Sequence, residues 1–308
     1  CIAGSGFSSA MSFINAADCV AGRVKRSAPY DVTRSMASSV SANIANFYGL
    51  KGRSYSIASA CATSMHNIGH AAELIRSGEC DIALSGGAEE INEVITCMFE
   101  GMRVVLSKSY NETPQSASRP YDKNRDGFVI SGGAGMVVLE DYEHAERRGA
   151  TIYGELLGFG ASTDGHDIVQ PDTGGDGCRR CMINALEDAD CSVSEIDYIN
   201  THGTSTPVGD GAELKAIEKL FGSLPVAVSS TKSLTGHGIG ATGAQELIYS
   251  LLMLKHQFLV ASSNIENLDD AFTRHNILRK NVEGPIKRIM TNSFGFGGTN
   301  GTLVVGNV

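Results

Sequence analysis

The sequence predicts an α/β protein made of two related halves. Three observations carry this: strand-like runs alternate with helical ones, two helices are apolar all round, and short motifs recur in the same order along the chain. The alternation runs from a strand at Asp81–Ser85 to a helix at Asn92–Met102, then Gly135–Glu140 to Tyr142–Arg148, then Ile196–Asn200 to Ala212–Phe221. Such order implies a largely parallel sheet with helical cover. Helices over Met65–Ser77 and Ala241–Lys255 carry Ala, Leu and Ile on every face and therefore belong between layers. Gly69-His-Ala-Ala-Glu-Leu-Ile is echoed by Thr242-Gly-Ala-Gln-Glu-Leu-Ile, and Gly132-Gly-Ala-Gly-Met-Val-Val by Gly297-Gly-Thr-Asn-Gly-Thr-Leu-Val-Val. The halves are then 1–150 and 151–308, the second opening with a strand at Ile152–Gly160. Nothing ahead of Cys1 supplies the counterpart of that strand, so the first half is expected to lack at least one strand and helix.

Composition narrows the function. With 308 residues, 42% hydrophobic and 19% charged, the chain can bury a sizeable core, and disorder is excluded. A net charge of −9 without a basic run argues against nucleic acid or an anionic membrane as partner. No apolar stretch reaches the ~18 residues of a membrane helix, and no leader pattern opens the chain. Eight scattered cysteines suit a reducing compartment, so a cytoplasmic location is expected. Cys178 and Cys181 lie in a helix-like run without a second pair at metal-binding spacing; they read as a helix face, and no metal is expected.

Four Gly/Ser/Thr-rich segments each put one unusual residue at a strand mouth or a helix start. In Tyr55–Ala60 a strand turns sharply into a helix, with Cys61 on the turn. A thiol at a helix N-terminus is drawn toward thiolate, and free backbone N–H groups beside it can hold an oxyanion, a combination suited to acyl transfer. Local chemistry leaves the alternative of a small buried residue open. His202 follows a strand and precedes Asp210 and Glu213 at the next helix start; His237 sits in the glycine-rich turn that opens Ala241–Lys255. If the chain is duplicated, the His237 turn is the counterpart of the Cys61 turn, and the two helix starts meet at one site. In Asn292–Asn300, Phe294 and Phe296 between glycines are either packed aromatics, a gate or a second oxyanion donor.

At these residues the chain resembles the β-ketoacyl-[acyl carrier protein] synthases, the condensing enzymes of fatty-acid synthesis. The resemblance runs from Ile2 to the C-terminus on Ala60-Cys61-Ala-Thr-Ser, Arg125-Asp-Gly-Phe-Val, His202-Gly-Thr-Ser-Thr-Pro, Lys232-Ser-Leu-Thr-Gly-His237 and Gly295-Phe296-Gly-Gly-Thr-Asn. The wording is most similar to the bacterial type I elongation enzyme, with type II as the alternative. It implies a thiolase-like fold, two related α/β halves in a layered αβαβα arrangement, and a homodimer. It further implies that Cys61 is acylated from acyl carrier protein, and that His202 and His237 stabilise the enolate left when malonyl carrier protein loses CO2. At least one of the two imidazoles would then act as a neutral donor. Lys232 would add positive potential with Glu213 as its partnering carboxylate, and Asp210 would support the same helix start. The N–H groups of Cys61 and Phe296 would form the oxyanion hole, with Phe294 and Phe296 as gate and Thr204 and Thr206 holding the phosphopantetheine arm. No bound cofactor is implied, because the substrates ride on the carrier's phosphopantetheine. Arg23, Lys25 and Arg26 are the densest basic group for carrier docking, or else an ordinary solvated loop. A coenzyme-A thiolase would need a second cysteine where Phe294 and Phe296 stand; a truncated or inactive condensing subunit is the other rival.

Overall fold

How the chain returns to each strand decides the pairing in both sheets. The structure, a computed structural model, describes residues 1–103 and 105–308. Between β1 (Ile2–Gly4) and β2 (Ile82–Glu89) lie α1 (Ala10–Val20), α2 (Asp31–Ser35), α3 (Ser39–Tyr48) and α4 (Thr63–Arg76), a long crossover that leaves β1 and β2 parallel. After α5 (Glu93–Gly101), β3 (Gly133–Glu140) returns antiparallel to β2. Past α6 (Tyr142–Arg147) the second half carries β4 (Glu155–Thr163), α7 (Asp176–Asp188), β5 (Tyr198–Asn200), α8 (Gly209–Phe221) and β6 (Ala227–Ser229). It continues through α9 (Lys232–Thr235), α10 (Thr242–His256), β7 (Phe258–Leu259), β8 (Asn276–Ile277), β9 (Val282–Glu283), β10 (Arg288–Gly295) and β11 (Thr299–Gly306).

The larger sheet has the order β4-β11-β10-β5-β6-β8, and β7 with β9 forms a separate ribbon. Here β5, β6 and β8 run parallel with β10, whereas the tight turn from β10 to β11 forces an antiparallel pair, and β4 is antiparallel to β11. Both sheets are therefore mixed, not largely parallel as the alternation implied. A second correction concerns Tyr55–Ala60, which is extended but meets the sheet only through a bridge from Tyr55 to Ile2. The helices α4 and α10 lie between the sheets, and α7 with α8 covers the outer side of the larger one. Met65 and Ile68 of α4 and Ala244 and Leu247 of α10 share one apolar cluster with Ile289, Leu303 and Val305 of the larger sheet. Cys178 and Cys181 are buried on α7, where the Cys181 thiol donates to the Gly160 carbonyl at 3.2 Å. The outer edge of β3 has no strand on it among the described residues, whereas the corresponding edge of β11 carries β4.

The two central helices begin alike. Ala60 and Ile239 both take positive φ, 48° and 49°, each entering a 3-10 turn (Ala60–Ala62 and Ile239–Ala241) that runs straight into α4 at Thr63 and α10 at Thr242. For the β-branched Ile239 this is a strained conformation, held because the turn is packed on all sides. Geometry thus matches Cys61 with Gly240 and Thr63 with Thr242. The helical echo of the sequence, which set Gly69 against Thr242, is out of register because short Ala/Glu/Leu/Ile runs recur in any buried helix.

The helices cross at Ser64 and Gly243. Ala244 N–H donates to Ser64 Oγ at 2.9 Å, and a Cβ on Gly243 would lie 3.1 Å from both Met65 N and Ser64 Oγ. Gly243→Val should therefore push the helix starts apart and lower stability by about 1–3 kcal/mol, read from urea unfolding; an unchanged midpoint would contradict the close crossing.

Candidate active site

Three donors far apart in the chain meet where the helix starts touch. Cys61 Sγ and one ring nitrogen each from His202 and His237 lie within 4.8 Å of one another. Cys61 sits on the turn before α4, and His202 is two residues past the end of β5. His237 follows α9 and is held by donation of its N–H to the Val129 carbonyl at 2.7 Å. The imidazoles pack edge to face, centroids 5.2 Å apart. All three line a cavity of about 450 Å³ whose walls are apolar at Phe99, Val105, Phe128 and Ile239 and polar at Thr204 and Thr206. Phe294 lies against the His202 ring at 5.8 Å, and Phe296 against Phe99 at 6.3 Å, both on the cavity wall. The backbone N–H groups of Phe296 and of Cys61 itself are directed at the sulfur. Gly295 makes that approach possible, since a Cβ there would stand 3.0 Å from Cys61 N and 2.9 Å from the Ser59 carbonyl.

Burial fixes the charge states. It pushes the Cys61 thiol up to about 12, against the pull of Lys232 and the Phe296 N–H, so the resting group is a thiol. The thiolate expected from the helix start is overridden by loss of water around the sulfur. The same desolvation, with Lys232 adding repulsion, drives His202 and His237 well below the usual imidazole range, and both are neutral. His237 Nδ1 lies 3.2 Å from Thr242 Oγ1, leaving Nε2 without a partner; His202 Nδ1 is also unpartnered. The spacing of the three donors alone would suit a metal ion, yet a cation there would face the Lys232 charge and a thiol held protonated.

Lys232 corrects a second expectation. Its Nζ donates to Glu246 Oε1 at 2.6 Å, with both side chains fully buried. Glu213 instead accepts from the backbone N–H groups of His202 at 2.8 Å and Gly203 at 2.9 Å and from Asn292 Nδ2 at 3.1 Å, so it positions His202 and is not the partner of Lys232. Asp210 anchors the adjoining loop by accepting from Ser205 N, Thr206 N and Tyr121 N, and burial raises its carboxyl to about 6. On that loop Thr204 Oγ1 and Thr206 Oγ1 are 3.1 Å apart and face the cavity. Arg125, visible in a motif but given no role, donates to the Thr206 and Pro207 carbonyls at 3.2 and 3.0 Å and braces the same loop.

Arg23, Lys25 and Arg26 are exposed on the loop between α1 and α2, with Arg23 Nε donating to Asp18 Oδ1 at 2.8 Å. Sequence reasoning missed Glu246 and Glu89. Glu246 was detectable as the one acidic residue in a helix apolar all round, which requires a buried partner. Glu89 accepts from Ser5 Oγ and from the N–H groups of Gly6, Phe7 and Gly240, a set that only the fold assembles.

Comparison with known proteins agrees with this geometry. Residues 1–145 match the family model for the β-ketoacyl synthase N-terminal domain and 153–266 that for the C-terminal domain. Over 306 residues the chain is 52% identical to 3-oxoacyl-[acyl-carrier-protein] synthase 1 of Haemophilus influenzae and 51% to that of Escherichia coli, covering 98% and 99% of this chain and 74% of each relative. A β-ketoacyl synthase crystal structure from Burkholderia phymatum superposes with a TM-score of 0.94 at 34% identity, over 100% of this chain and 75% of that one. A ketosynthase in complex with its type II polyketide acyl-carrier protein superposes with a TM-score of 0.90 at 31% identity, over 99% and 78%.

Glu246→Leu should strand the Lys232 charge in apolar surroundings and cost about 3–5 kcal/mol in urea unfolding, most of it recovered in the Lys232→Met/Glu246→Leu double variant. Equal losses in single and double variants would contradict the pairing.

Proposed function

The chain belongs to the β-ketoacyl synthase family, and from that premise we propose that it elongates fatty acyl chains by decarboxylative condensation, as a 3-oxoacyl-[acyl-carrier-protein] synthase of the type I kind. The observation that carries the reading is the meeting of one thiol and two neutral imidazoles in a cavity with an apolar side.

In the first half-reaction Cys61 Sγ forms a bond to the acyl carbonyl carbon while the bond to the carrier's phosphopantetheine sulfur breaks, and the thiol proton ends on that departing sulfur. Negative charge on the carbonyl oxygen is met by the N–H groups of Cys61 and Phe296. In the second, the malonyl C–C bond breaks, CO2 leaves and the electron pair moves onto the thioester oxygen. Two imidazole N–H donors stabilise that enolate in a water-poor site without any proton transfer. Its carbon then attacks the acyl group, the bond to Cys61 breaks, and the sulfur regains a proton from solvent. This chemistry uses no bound cofactor, since both substrates arrive on phosphopantetheine; in this reading Thr204 and Thr206 hold that arm and Phe294 and Phe296 gate the acyl side, roles supported by their position on the cavity wall.

Acyl carrier protein is the partner in this reading, docking on Arg23, Lys25 and Arg26, which are exposed. A homodimer is supported by the apolar side chains that α1 to α3 leave in solvent, Phe13, Val20, Val32 and Phe47 among them. A cytoplasmic location is supported by eight free cysteines; no helix among the described residues is long and apolar enough to cross a membrane.

With malonyl carrier protein alone, His202→Ala and His237→Ala should each lower CO2 release by about 10²-fold or more, and unimpaired release in both would overturn the two-donor scheme. Because the imidazoles are already neutral, the ring-nitrogen NMR shifts of His202 and His237 should stay those of neutral imidazole as pH falls from ~7.5 to ~5.5; protonation of either ring near the ordinary imidazole value would contradict it. Charge reversal at Arg23, Lys25 and Arg26 should weaken carrier binding most at low salt, and equal binding at low ionic strength would clear these residues of the role.

A further inference from the structure

His66, on α4 five positions after Cys61, uses both ring nitrogens. Nδ1 lies 2.7 Å from Ser59 Oγ and Nε2 lies 3.0 Å from the Asn300 carbonyl oxygen. A carbonyl oxygen only accepts, so Nε2 carries the hydrogen, and the neutral ring accepts the Ser59 hydroxyl proton at Nδ1. Burial holds the imidazole below its ordinary range and keeps that state. Phe159 packs edge to face with the ring, centroids 6.0 Å apart.

The two residues it joins belong to different parts of the oxyanion pocket. Ser59 is two positions before Cys61, and its carbonyl also accepts from Thr299 Oγ1 at 3.1 Å. Thr299 and Asn300 open β11 directly after the turn that presents Phe296. The N–H groups directed at the sulfur come from these two segments, which are joined here by Ser59–His66–Asn300 and Ser59–Thr299.

We propose that His66 is a positioning residue for acyl transfer, setting the spacing between the Cys61 and Phe296 N–H groups by bridging Ser59 to Asn300. The role rests on the functional reading above, because only the acyl-transfer half of the reaction depends on that pair of N–H groups at its first step; decarboxylation depends on His202 and His237. A structural histidine would affect both halves alike.

His66→Phe keeps ring volume and the Phe159 contact but deletes both hydrogen bonds, and Ser59→Ala breaks the same link from the other side. Each should slow acyl transfer to Cys61 by about tenfold to a hundredfold, while CO2 release from malonyl carrier protein changes by less than about twofold. His66→Gln, whose amide nitrogen can replace the Nε2 donor to Asn300, should recover part of the loss. Wild-type acyl transfer in both His66→Phe and Ser59→Ala, or an equal loss in both half-reactions, would overturn the role of His66 alone. A wild-type protein that neither acylates Cys61 nor releases CO2 would instead overturn the functional reading, and this role with it.

Discussion

Exclusion of water from the cleft between the α4 and α10 starts governs every group that does chemistry there. Desolvation penalises charge, so it leaves Cys61 as a thiol and both imidazoles neutral. Lys232 carries a charge in the same surroundings and is tolerable only because Glu246 on α10 faces it at 2.6 Å. The site therefore holds neither a thiolate nor an imidazolium in its resting state. What it offers is two backbone N–H groups directed at the sulfur and two neutral imidazoles, each with one unpartnered ring nitrogen, polar groups whose interactions strengthen as the local dielectric falls.

The duplicated architecture explains why one such site forms and not two. Both central helices are entered through the same positive-φ turn, but the position that holds Cys61 in the first half holds Gly240 in the second. The Gly240 N–H donates at 3.0 Å to Glu89, which also accepts from Gly6 and Phe7, so the second turn is committed to tying the halves together. The first turn is left to face the cavity with its sulfur and N–H. Histidines from the second half then complete what the first half begins.

Much of this was legible in the sequence because strand-end turns rich in glycine announce themselves, and Cys61, His202 and His237 each stand in one. The helices Met65–Ser77 and Ala241–Lys255 were legible from their apolar faces to within a few residues of α4 and α10. What failed did so for tertiary reasons. Glu213 and Glu246 are both carboxylates on helices, and which one reaches Lys232 depends on how α10 lies across α9, a fact with no local signature. A helix start is visible in sequence but its depth is not, hence the thiolate expectation for Cys61. The tight β10–β11 return, which makes the larger sheet mixed, follows from Gly297 and Gly298 at φ of 84° and 70°, read in sequence only as a glycine-rich segment.

The central claim is that the sulfur of Cys61 carries the acyl group. Incubation with a fatty acyl carrier protein thioester, followed by intact mass and peptide mapping, tests it most directly. One acyl adduct is predicted, confined to the peptide containing Cys61. An adduct on the peptide of another cysteine, such as Cys178 on the same cavity wall, would contradict the account.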